Sequence, residues 1–261
     1  MKFLSIISWR RAAVTLGAVA LAALTGCATV QSPDPRDPWE SVNRTVFEFN
    51  DGVDKVVLKP VATVYQDVVP SMVRTGVGNF FGNMADAWSL VNNVLQAKPE
   101  AALSSFWRVA INTTMGLGGV LDPASEMRLE KQREDFGQTL GYWGVPAGPY
   151  VVLPFLGSFT LRDAAALPVD WYGYPLSQMN DKGWMYGLTA LGIVDVRARF
   201  LEAGDLLDAA ALDPYTLRRE AHLQRRVHRV DDDSSATPEE RYDLDPPPTA
   251  PFAPGSSRRE P

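Results

Sequence analysis

Cysteine occurs once in the 261 residues, as Cys27, and histidine twice. One thiol cannot form an internal disulfide, so packing must hold the fold. His222 and His228 are six residues apart on a helical pattern. They point to different faces, which excludes an i, i+4 metal pair. No Gly-x-Ser-x-Gly elbow occurs, and Asp163, Asp170 and Asp195 have few acid–base partners, so they read as solvated or capping carboxylates rather than catalysts. Gly76-Val77-Gly78 followed by Gly82 lacks the spacing and preceding strand of a phosphate loop, and reads as close helix packing. After Cys27 no apolar run approaches the ~18 residues of a spanning helix. Basic residues are also in deficit, at a net charge of −6. A nucleic-acid partner, which needs a basic face, is not expected. The expected protein has no active site, no metal and no cofactor.

What is present begins at the amino terminus. Lys2, Arg10 and Arg11 form a charged n-region, and 12–24 is an apolar stretch of thirteen residues. That is too short to span a bilayer and suits a cleaved signal. It ends in Leu24-Thr25-Gly26-Cys27, the pattern at which a bacterial lipoprotein is lipidated on cysteine and cut before it. Residues 1–26 are thus expected to be a signal peptide, and Cys27 the lipidation site. Each acyl methylene buried in a membrane contributes about 0.8 kcal/mol, and two or more chains make a stable anchor. Ala28 follows the cysteine where an aspartate would resemble an inner-membrane retention signal, so the outer membrane is expected. Without the three basic leader residues the net charge becomes −9.

The mature chain divides by composition into a polar tether (27–36), a body (37–230) and an acidic, proline-rich tail (231–261) that reads as disordered. In the body, Asp37-Pro38-Trp39-Glu40 signals a helix start. Trp39, Val42, Val46, Phe49 and Val53 then follow at helical spacing. Pro60 opens a short helix closed by Pro70. Residues 71–81 and 84–97 read as two helices broken at Gly82-Asn83. Pro99 starts another that ends at Gly116. An apolar, glycine-rich loop follows: Gly116, Leu117, Gly118, Gly119, Val120, Leu121 and Asp122. Residues 125–135 are charged and solvated. Phe136, Leu140 and Trp143 mark a helix, and the stretch to Gly157 holds at most a short extended piece at 150–153. Ser158 or Thr160 caps a helix over 161–167, and 170–175 is an aromatic turn. Residues 184–207 form one long helical pattern, and Asp213-Pro214 caps a final helix over 215–230. Arg218, Arg219, Arg225, Arg226 and Arg229 on that helix suit either solvent or phosphate headgroups. The Met, Trp and Phe content reads mostly as core. The sum is an all-α, single-domain body of short amphipathic helices, suited to lying partly in one leaflet.

Several stretches resemble the MlaA/VacJ family of phospholipid-transport lipoproteins. They are 37–45, Gly78-Asn79-Phe80 with Gly82-Asn83, 108–119, 136–163 with its Phe-Gly-Gln-Thr-Leu-Gly-Tyr-Trp-Gly run, Asp213-Pro214-Tyr215 and Arg219-Glu220-Ala221. The resemblance implies a ring-like body in the inner leaflet of the outer membrane, with an amphipathic channel through which outer-leaflet phospholipids leave. It implies transfer to a periplasmic carrier that feeds an inner-membrane ABC transporter, and trimeric porins as neighbours. On the same basis residues 116–122 are expected to gate the channel, and Asn43, Phe47 and Phe49 to line it. Competing readings are a structural or porin-accessory lipoprotein without transport, and a lipid hydrolase, which the missing nucleophile–base pair disfavours.

Overall fold

A computed structural model describes residues 34–235. The signal peptide, Cys27, most of the tether and tail residues 236–261 lie outside the described residues. Ten α-helices and one hairpin are seen among those described: α1 (Glu40–Val53), a π-helical turn (Asp54–Leu58), α2 (Lys59–Val68), α3 (Ser71–Leu95), α4 (Pro99–Thr114), α5 (Pro123–Glu126), α6 (Phe136–Tyr142), β1 (Tyr150–Leu153), β2 (Gly157–Thr160), α7 (Leu161–Gly173), a 3-10 turn (Pro175–Gln178), α8 (Lys182–Arg199), α9 (Leu201–Ala210) and α10 (Pro214–Ser235).

Several expected breaks are absent. Pro60 stands in the first turn of α2, which ends before Pro70 as expected, but no break separates α2 from α1. The Lys59 N–H reaches back five residues to the Asp54 carbonyl, and this widened turn carries the chain past the proline without a stop. Gly82-Asn83 does not split α3, because Asn83 is buried and donates to Thr113 Oγ1 at 3.0 Å. That tertiary contact outweighs the ~1 kcal/mol helix penalty of glycine. The helix begun at Leu161 runs through Pro168 into the expected aromatic turn. The long pattern after 182 divides at Phe200, whose N–H turns back to the Arg197 carbonyl at 3.1 Å. The extended piece at 150–153 has an antiparallel partner, Tyr150 facing Thr160 and Leu153 facing Gly157. The last helix continues to Ser235, past the compositional boundary at 231.

Neighbouring elements close into a circuit. α1 passes through the π turn into α2, α2 packs on α8, α8 on the 3-10 turn, that turn on α7, α7 on the hairpin, and β1 on α1. This is the ring-like arrangement expected. α3 packs against α8 and the 3-10 turn, with α4 laid along it, and α10 touches the hairpin and α6. No helix among the described residues is long and apolar enough to cross a membrane.

The polarity of this body is inverted. α3 buries Asn83, Asp86, Ser89, Asn92 and Asn93 while exposing Val91, Val94 and Leu95. α4 buries Ser105, Arg108 and Asn112 while exposing Leu103, Phe106 and Trp107. Trp39, Trp107, Trp143, Trp171 and Trp184 are all exposed, against the expectation that the aromatics form the core. Apolar burial is confined to small clusters, such as Ala62, Ala198 and Leu201, or Tyr150, Val152 and Tyr215. Contiguous apolar surface of this kind marks a face that meets lipid or protein.

Candidate functional site

A largely apolar space is lined by several elements of this circuit. It is an open cavity of about 480 Å³ between the π turn, α3, α7, the 3-10 turn and α8. Leu58, Phe81, Trp171, Leu176, Ile193 and Phe200 supply its apolar wall. Gly192 lets α8 approach α3: a Cβ there would meet the Phe81 ring at 3.3 Å. The polar groups are few. Tyr174 donates its hydroxyl to the Phe81 carbonyl at 3.2 Å, and Ser177 donates to the Tyr174 carbonyl at 2.8 Å. Arg197 carries the charge of the lining and pairs with Asp54, Nε to Oδ1 at 2.7 Å and Nη2 to Oδ2 at 2.8 Å. The volume falls within the ~300–1,000 Å³ of small-molecule sites.

Buried ion pairs hold the wall in place. Arg108 on α4 is fully buried and uses all five N–H groups, on Asp86 of α3, on Ser125 Oγ and the Leu129 carbonyl, and twice on Asp122. Burial alone would raise the Asp122 pKa, but hydrogen bonds from Ser125, Asn112 and Arg108 outweigh it and hold the group at about 2. Arg226 on α10 pairs with Asp135 at 2.6 Å and Asp163 at 2.8 Å. Arg219 pairs with Asp37 at 3.1 Å. Two of the five arginines on the last helix, Arg219 and Arg226, therefore face inward. The three carboxylates weighed as bases are likewise occupied. Asp163 is bound by Arg226, Asp170 accepts from Trp88 Nε1 and the Phe136 N–H at 2.8 Å each, and Asp195 accepts from Tyr65 and Arg199.

The glycine-rich loop is seated at both ends. Gly119 N–H donates to the Asn112 carbonyl at 2.8 Å, and Asn112 Nδ2 donates to Asp122 at 2.8 Å. Leu117, Gly118 and Gly119 all have positive φ, at 53°, 73° and 93°. Val120 rests on Gly76 of α3, where a Cβ would lie 2.9 Å from Val120 Cγ1. The packing at Gly76 is thus against the loop, where helix packing was expected, and Gly78 faces the Arg199 side chain of α8. Leu117 and Leu121 are exposed. The loop thus rides on the side of α3 that carries Gly76, Asn79 and Asn83, and Phe81 turns from the same helix into the cavity.

Asn43, Phe47 and Phe49 stand at the hairpin and not in the lining of this cavity. Asn43 is buried, donating to the Tyr150 carbonyl at 3.0 Å and to Asp37 at 2.8 Å, and accepting from the Val152 N–H at 2.9 Å. Asn50, one heptad later, repeats the pattern on the Leu153 carbonyl and the Phe155 N–H. Seven helical residues rise about 10 Å, as do three strand residues, so the two amides act as a strand partner for the open edge of β1. Phe47 packs edge-on against Tyr215, and Phe49 against Phe155. Sequence reasoning did not single out Asn50, Arg108 or Arg197. The i, i+7 asparagines were a visible signal; the two arginines had none.

A model of the MlaA lipoprotein family matches residues 35–229. The chain is similar to the intermembrane phospholipid transport system lipoprotein MlaA of Escherichia coli (strain K12), at 38% identity over 222 residues, covering 83% of this chain and 86% of the relative. It is similar to the lipoprotein of the same name from Haemophilus influenzae at 38% over 219 residues, covering 80% and 87%. A solved structure described under "Structural basis for maintenance of bacterial outer membrane lipid asymmetry" superposes with a TM-score of 0.66 at 39% identity, covering 74% of this chain and 98% of that one.

Proposed function

The chain belongs to the MlaA lipoprotein family, and from that premise we infer that it is a lipoprotein of intermembrane phospholipid transport that maintains outer-membrane lipid asymmetry. It is anchored through Cys27 and sits partly in the periplasmic leaflet of the outer membrane. It takes mislocalised phospholipid from the outer leaflet and passes it to a periplasmic carrier that feeds an inner-membrane ABC transporter, with a trimeric porin alongside. No bond is made or broken in the lipid.

One observation carries this reading: an apolar, open cavity of about 480 Å³ in a body that exposes many large apolar side chains and whose buried contacts are largely polar. A phospholipid headgroup costs several kcal/mol in an apolar medium unless its polar groups find partners. A path with an apolar wall and a charged mouth lowers that cost and needs no energy input. The loop 116–122 serves as the gate: a shift at its apolar tip is carried through Val120 and α3 to Phe81. Asn43, Phe47 and Phe49 shape the path from the hairpin side by fixing β1.

The test is a strain lacking the gene, in which surface-exposed phospholipid is measured after complementation. The intact gene should restore the normal level. Cys27→Ala should not. Gly192→Phe, which fills the cavity from α8, should fail at equal protein level. Full restoration by Gly192→Phe would remove the cavity from the path and favour an accessory role.

A further inference from the structure

Most arginines in the body are committed. Arg108, Arg219 and Arg226 have side chains 1%, 8% and 9% exposed and lock the interior. Arg197 is different. It stands on α8 one residue after Val196, at the edge of the apolar cavity, and its side chain is 18% exposed. Asp54 grips one side of its guanidinium through Nε and Nη2. Nη1 and the second hydrogen of Nη2 meet no acceptor among the described residues. The cation is therefore hydrogen-bonded by one carboxylate, with the charges of Asp205 and Asp208 farther off, and still has a donor edge to offer. Asp54 opens the π turn and Leu58, which closes it, lines the cavity. Single π turns within helices recur at functional sites because they re-aim side chains.

We propose that Arg197 receives the phosphate of a phospholipid headgroup at the cavity mouth while an acyl chain occupies the apolar wall below it, with Asp54 as the positioning residue that aims the guanidinium. This rests on the reading of the cavity as the lipid path. A guanidinium offers a planar pair of N–H donors that matches two phosphate oxygens, which a lysine cannot do. The partial exposure matters as well: a guanidinium already sealed in the core would have no edge left for a ligand. Phosphate is the recognised chemistry, and both a lipid headgroup and free phosphate carry it. The apolar wall directly beneath Arg197 assigns the lipid.

The experiment uses the full lipidated chain in a phosphate-free detergent. Binding is measured for a fluorescent phospholipid and for a diacylglycerol with the same acyl chains, and thermal stability is followed with millimolar inorganic phosphate. The wild type should prefer the phospholipid by about tenfold, the size expected for a charge-assisted pair. Arg197→Gln should lose that preference while still binding diacylglycerol, and Arg197→Lys, which keeps the charge and loses the fork, should fall between. Inorganic phosphate should shift neither protein. A purely structural arginine would lower both lipids together, and that result overturns the proposal, as does a wild type without preference. A stabilising shift by inorganic phosphate that Arg197→Gln abolishes overturns the assignment to a lipid. Should Arg197→Gln fail to fold, the Arg197→Lys selectivity decides. Gly192→Phe separates the two readings: if it binds both lipids normally the cavity reading falls, and if it alone loses binding only the role of Arg197 falls.

Discussion

His222 shows how little of this interior is conventional at the scale of one side chain. It lies against the Tyr150 ring, and its Nε2 finds no partner among the described residues. Burial lowers its pKa from 6.5 to about 4, and Arg226 and Arg225 push the same way while Asp163 opposes them. A histidine with a lowered folded pKa stabilises the fold above its unfolded pKa, and that stability is lost as pH falls from 6.5 towards 4. The loss is at most about 3 kcal/mol, since the group is partly solvated. Asp122 acts in a separate window. Its stabilisation holds above its ordinary 3.8 and disappears only as pH falls towards 2. Denaturant unfolding of the Cys27→Ala protein in detergent, taken from pH 7.5 to 4, should therefore show a decline that His222→Gln flattens and Asp122→Asn does not. The helix numbering at this scale was only partly legible. Asp213 caps α10 as its sequence context suggests, with the Tyr215 N–H on its carboxylate at 3.2 Å. Asp37 carries the same signature and does something else. Trp39 takes the N-cap position without a side-chain bond, and Asp37 is buried among Asn43, Tyr215 and Arg219. Local pattern cannot tell a cap from a carboxylate claimed by residues 180 positions away, roughly the separation seen here for Arg219.

Individual elements make the same point about the glycine-rich loop. Gly118 and Gly119 look equivalent in the sequence, and both have positive φ. Their surroundings differ. A Cβ on Gly118 meets open space, whereas one on Gly119 would lie 2.7 Å from Asn83 Cβ. Gly118→Asn should therefore cost under about 0.5 kcal/mol, because asparagine tolerates the left-handed region. Gly119→Val should cost about 2 kcal/mol or more, through both clash and backbone strain. Urea unfolding of the two variants checks this, and equal effects would mean the loop is not seated on Asn83. The lipid-removal assay adds a second axis: a gate that pivots on this seat should be impaired in Gly119→Val even at a temperature where the protein stays folded. Most helices were legible as elements because their apolar and capping residues recur locally. The breaks were less so. Proline at 60 and 168 and glycine at 82 are stop signals in isolation, and here a π turn, a continued helix and a buried asparagine override them. Strand β2 was invisible because Gly157, Ser158, Phe159 and Thr160 carry no strand pattern of their own; only pairing with β1 defines it.

Taken as a whole, the molecule is legible as helical and amphipathic, but the direction in which its amphipathic faces point is not, since a helical stripe of valines fits a core and a membrane equally well. α2 decides between them. Val57 of the π turn and Val61, Val64 and Val68 of α2 form one stripe at helical spacing, and all four are exposed, while Ala62 on the opposite side is fully buried. A solvent-facing stripe of this kind is a liability unless lipid or protein covers it. Replacing Val61, Val64 and Val68 together by serine removes no buried contact, so folding stability should change by less than about 0.5 kcal/mol per site. Withdrawing the same three half-exposed side chains from an acyl environment forfeits about 1 kcal/mol for each, which compounds to a roughly hundredfold drop in partitioning. The measurement belongs in the Cys27→Ala background, where no acyl anchor masks the contribution of the body, with co-sedimentation on phospholipid vesicles as the readout. An unchanged partition coefficient with unchanged stability would place the valine stripe in water or against protein.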